Sequence, residues 1–107
     1  MDEEQTRTFQ LMHKLTKQMQ ALKILESTDE EIREMQKTCE LIKQGTMDKA
    51  AIKTAQAVER AGVYIEQARN ADSDKQKRAQ MKKALNRIQK AENQMNKYLD
   101  RIEKEVD

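Results

Sequence analysis

Proline and tryptophan are absent from this sequence, and glycine occurs only twice. Tight turns draw on proline and glycine, so a sheet-based fold has little to turn its strands with. Aromatics amount to 3% of residues, too few for a sheet face or for a platform on which bases stack. The single cysteine, Cys39, cannot close an internal disulfide. On an apolar helical stripe it reads as a small buried hydrophobe in a reducing compartment, with a reactive thiol as the alternative. No window approaches the roughly 18 apolar residues of a membrane span, and Met1-Asp2-Glu3-Glu4 is the opposite of a basic signal-peptide start. A cytoplasmic protein with no membrane partner is expected.

What is present is charge and helix-forming side chains. Charged residues make up 37% of the 107 and hydrophobic ones 36%, against typical shares of about 25% and about 45 to 50%. Apolar material on this scale builds one small core, so one domain is expected over residues 1–107. Lys, Glu, Gln, Ala and Met dominate while β-branched residues are few, which points to an all-α fold. Twenty-one basic and 19 acidic residues leave a net charge of +2, so any attraction to nucleic acid or lipid must come from local clusters.

Apolar periodicity divides the chain into four helices. From about Glu3 to Leu25, Met12, Leu15, Met19 and Leu22 recur at steps of three and four. Ser27-Thr28-Asp29-Glu30-Glu31 holds two overlapping capping boxes, Ser27 with Glu30 and Thr28 with Glu31, and opens a second helix with acidic residues at its positive end. Ile32, Met35, Cys39 and Ile42 form its stripe, Gly45 stands where a left-handed cap would close it, and Thr46 is placed to cap the next. The third helix, about Met47 to Arg69, is rich in alanine, and its Gly62 suggests close approach to a neighbour or a local bend. Asp72 or Ser73 caps a fourth helix of about 33 residues, in which Met81, Leu85, Ile88, Met95, Leu99, Ile102 and Val106 keep a heptad spacing of coiled-coil character. Ala84, Ala91 and Tyr98 flank that seam, and Glu92 interrupts it as a registry device or at a wet edge.

Short connections make an antiparallel up-down bundle of four helices the expected architecture, with three long helices as the alternative if Gly45 only kinks a continuous rod. In that bundle the acidic residues Asp29, Glu30, Glu31 and Glu34 share an end with the basic start of the fourth helix. Asp2, Glu3, Glu4, Glu103, Glu105 and Asp107 meet Lys43, Lys49 and Lys53 at the other. The second helix is about half as long as the fourth, so Met95, Leu99, Ile102 and Val106 are expected to overhang and to need cover from a second copy or a partner helix.

Sites for chemistry are sparse. Lys75, Lys77, Arg78, Lys82, Lys83, Arg87 and Lys90 stand in a run without any acid, which reads as a phosphate-binding patch or as a solvated face paired with the second helix. His13, the only histidine, sits where a phosphotransfer bundle would place its acceptor, but no glycine follows it, and an ordinary half-exposed side chain is the simpler reading. No metal-ligand spacing, Glu-x-x-His pair, nucleophile with a base or glycine-rich loop occurs, so neither a metal, a cofactor nor catalysis is expected. Met12, Met19, Met35, Met47, Met81 and Met95 read as core filler, or as an adaptable groove. The leading expectation is a non-enzymatic interaction module, an adaptor, small chaperone or inhibitor that self-associates or binds a protein through the fourth helix. A nucleic-acid-binding or regulatory role for Lys75 to Lys90 comes second.

Overall fold

Each helix begins where a short polar side chain takes up backbone N–H groups that have no partner of their own. The computed structural model describes residues 2–22 and 26–106, the last by its backbone alone. Four helices follow in order: α1 (Glu3–Ala21), α2 (Asp29–Gly45), α3 (Lys49–Arg69) and α4 (Asp74–Val106). Asp2 accepts the Gln5 N–H at 2.8 Å while the Gln5 side chain accepts the Asp2 N–H at 3.0 Å, a reciprocal capping box. Thr28 caps α2 by accepting the Glu31 N–H at 3.1 Å, and Ser73 opens α4 by accepting the Gln76 N–H at 3.2 Å.

Several boundaries differ from the sequence reading. Helix α1 stops at Ala21, with Leu22 extended at φ −73° and ψ 117°; Leu25 lies outside the described residues. Gly45 is the last residue of α2 and not a left-handed cap, for no described residue has a positive φ. The chain leaves α2 through extended Thr46, at φ −137° and ψ 149°. Thr46 does not cap α3 either: its hydroxyl accepts the Asp48 N–H at 3.1 Å, and Asp48 caps α3 by accepting the Ala51 N–H at 3.1 Å. That break separates α2 from α3 and removes the three-helix alternative.

Each helix packs against the next in sequence, and α3 with α4 is the closest pairing. Ala51, Ala55, Ala61 and Ala68 of α3 and Ala84 and Ala91 of α4 are all 0% exposed, and side chains this small let helix axes approach. Gly62 serves α2 in the same way. A Cβ there would stand 3.1 Å from Gln36 Nε2 and 3.6 Å from Ile32 Cγ2. Buried Thr38 and Thr54 return their hydroxyls to the carbonyls of Glu34 and Ala50, so neither carries an unsatisfied donor into the interior.

The alanine contact also rotates α4 away from the expected seam. Its buried face is Ala84, Ala91, Met95, Tyr98 and Ile102, while Leu85 is 53% exposed, Leu99 37% exposed, Met81 and Ile88 half-buried, and Glu92 exposed. The molecule measures 51 × 22 × 20 Å, and 33 residues at about 1.5 Å each carry α4 along its full length. Helix α1 lies beside the C-terminal half of α4, where Met12 and Leu15 join Met95, Tyr98 and Ile102 in the main core and the Thr16 hydroxyl donates to the Met95 sulfur. A smaller cluster of Ile32, Ile65 and Ala84, flanked by Leu22 and Tyr64, closes the other end. No described helix is long and apolar enough to cross a membrane.

Candidate functional site

Residues seven apart on a helix share one flank, because two turns bring the side chain back to nearly the same direction. Lys53 and Arg60 stand in this relation on α3, Lys90 and Lys97 on α4, and Arg87 sits one turn before Lys90. The close α3–α4 pairing brings the two flanks together along a cleft of about 520 Å3 lined by these five cations and by no carboxylate. Ala57 lies between the rows, half-buried, and Gln56, Asn93 and Gln94 add amide groups that both donate and accept.

None of the five cations forms an ion pair or a hydrogen bond with another described residue. The nearest acid in sequence, Glu59, is engaged from the α2 side by the Lys43 ammonium at 2.9 Å. Beyond the end of the cleft the Lys83 ammonium lies over the Tyr64 ring at 5.7 Å. A second cleft, of about 320 Å3, lies at the opposite end near Tyr98 and Asp48, but its charges are mixed and Arg101 pairs with Asp48 and Glu105. Unneutralised charge of one sign therefore gathers at the α3–α4 cleft.

The basic run of the sequence is split by the helix that carries it. Arg87 and Lys90 line the cleft and Lys83 continues their row, whereas Lys75, Arg78 and Lys82 point to solvent away from α3 and Lys77 is half-buried toward the core. None of the seven pairs with an acidic residue of α2, contrary to the expected charge match; the ion pair at that end joins Arg69 to Asp29 at 2.7 Å. At the other end Lys49 and Lys53 are likewise without acidic partners, and Arg101 with Asp48 makes the contact. Arg60 and Lys97 lie outside the uninterrupted run and carry no signal of their own in the sequence, and Lys53, expected to meet the acids of the far end, lines the cleft instead. The signal that would have found them is the alanine stripe Ala51–Ala55, which tells which face of α3 meets α4.

The expected docking seam needs correcting as well. Met95, at 5% exposure, and Ile102, at 6%, are spent inside the chain's own core because α1 covers them. Leu99 remains partly open, and the side chain of Val106 lies outside the described residues. Of the methionines, Met12, Met35 and Met95 are core, Met19 and Met81 are half-buried, and Met47 is 86% exposed in the α2–α3 connection, so they form no common groove. His13 is exposed on α1.

Cys39 is fully buried. Burial, reinforced by Glu59, pushes its thiol up to about 12. In the unfolded chain the thiol returns to about 8.5. Between these values the folded protein keeps a proton that the unfolded chain has lost, so stability is full below the window and falls as pH rises through it, by about 1.4 kcal/mol per unit. Urea unfolding at neutral and alkaline pH checks this: the native protein will lose stability between about pH 9 and 12 more steeply than Cys39→Ala.

Comparison with family models, with curated proteins and with solved structures gives no match to this chain.

Proposed function

We propose that this protein is a non-enzymatic, cytoplasmic binding module that takes the phosphate backbone of a nucleic acid in its α3–α4 cleft. The observation that carries this reading is the convergence of Lys53, Arg60, Arg87, Lys90 and Lys97 on one concavity without any acid to neutralise them. Holding five like charges together opposes folding slightly, and a ligand that brings phosphates relieves the repulsion while releasing its own counterions. The closed α-helical frame supplies the rigidity that keeps the two rows in place.

Fluorescence anisotropy with a labelled oligonucleotide at about 50 mM salt tests the assignment. The combined variant Lys53→Gln, Arg60→Gln, Lys90→Gln, Lys97→Gln is expected to lose affinity at least tenfold. Lys75→Gln with Lys82→Gln, which removes charge from the outer face of α4, should change it by much less. Equal losses per charge removed from the two sets would show general charge attraction and reject the cleft.

A second reading, self-association through α4, keeps one supporting observation. Leu85 and Leu99 lie on the flank of α4 away from the cleft and are 53% and 37% exposed, two turns either side of Glu92. Light scattering on a concentrated sample measures it: a dimer that Leu85→Lys dissociates supports this reading, and a monomer at every concentration removes it.

A further inference from the structure

We infer that the cleft holds a single, unpaired strand and grips it without regard to base sequence, an inference that rests on the nucleic-acid reading above. The cations flank a groove between two helices, Arg87 half-buried and the other four exposed along its rims, instead of crowning a single ridge. Helices in contact through alanine run about 8 to 10 Å apart. A duplex reader sends a protruding helix or ribbon into a groove about 12 Å wide, and nothing protrudes here. A duplex would graze the rim of this cleft with one backbone, whereas a lone strand can lie along the floor with Lys53 and Arg60 on one side and Arg87, Lys90 and Lys97 on the other. From Arg87 to Lys97 the α4 row extends about 15 Å, so the contact covers a few phosphates.

Indifference to sequence follows from what the lining lacks. Base selection on single strands comes from aromatic stacking and from edge-specific hydrogen bonds. No aromatic side chain lines the cleft: Tyr64 lies under the Lys83 ammonium and Tyr98 is buried in the core. The amides of Gln56, Asn93 and Gln94 both donate and accept, so they can meet a sugar hydroxyl or any base edge equally. Affinity then rests on charge, and each phosphate neutralised on a single strand contributes about 0.7 to the slope of log affinity against log salt.

The test is a salt series with four labelled homopolymer single strands and one duplex of equal length, using the whole protein and the fourfold cleft variant described above, with circular dichroism confirming that the variant stays helical. A slope between about −2 and −3.5 on single strands, less than about threefold spread among homopolymers, at least tenfold weaker duplex binding, and a slope no steeper than about −0.7 for the variant, which keeps Arg87, support the inference. Duplex binding as tight as single-strand binding, or tenfold preference for one homopolymer, overturns it while leaving the cleft as a nucleic-acid site. No binding to any of the five at low salt overturns it together with the reading on which it rests.

Discussion

Replacing Tyr98 by alanine will lower the stability of this protein by about 3 to 5 kcal/mol, the range found when a large aromatic is deleted from a core. Tyr98 is 1% exposed and is the largest side chain in the fully buried set. It sits among Met12, Met95 and Ile102 where α1, α3 and α4 meet, so no single helix can shift to refill the space. Domains of this size hold roughly 5 to 15 kcal/mol in all, which makes the loss a large share of the total. Tyr98→Phe is expected to behave in the opposite way. The hydroxyl is buried without a hydrogen-bond partner among the described residues, and burial together with Glu105 pushes its ionisation above the ordinary range. Removing an unsatisfied hydroxyl relieves a desolvation cost of about 1 to 3 kcal/mol, so the phenylalanine variant will match or exceed the native protein. Urea denaturation of the two variants reads both effects, and a loss of more than about 1 kcal/mol for Tyr98→Phe would show that the hydroxyl is bonded in solution.

Enlarging the alanine contact is the second severe change. Ala55 and Ala91 are 0% exposed and belong to the main core shared by α3 and α4. A leucine at either position must push the helices apart or take a strained rotamer, at a cost of about 1 to 3 kcal/mol. The two substitutions together will cost more than one, and they will also spread the rows of the cleft, so ligand affinity and stability fall together. Ala79→Leu, on an exposed turn of the same helix, is the matched control and should stay within about 0.5 kcal/mol of the native protein. Thermal unfolding followed by circular dichroism separates the two single variants, their combination and the control.

The four helices were legible because helical periodicity is a local property, and residue type marked the starts of α2 and α4 to within one position, Ser27 or Thr28 and Asp72 or Ser73, with Thr28 and Ser73 the residues that cap. Gly45 misled because glycine is common both in left-handed caps and in ordinary last turns, and only the path taken by Thr46 to Asp48 decides between them. The rotation of α4 was hidden for a different reason. Its largest apolar side chains mark the heptad Met81 to Val106, but the centre of the buried face belongs to Ala84 and Ala91, since the partner α3 offers alanines and rewards closeness over bulk. The cleft was half visible. Arg87 and Lys90 stood in a run that any charge count finds, while Lys53, Arg60 and Lys97 acquire meaning only once two helices are laid side by side.

The close backbone pairings in this molecule join helices that follow one another in the chain, α1 on α2, α2 on α3 and α3 on α4. Connections of a few residues close each pair, so little entropy opposes forming it, and topologies of this kind fold in microseconds to milliseconds. The α3–α4 hairpin has the closest packing across a short connection, and offers a template on which the rest condenses. Helix α1 grips α4 through Met12, Leu15 and Thr16 without close backbone approach, and is therefore the segment that peels away first when the molecule is pulled or warmed.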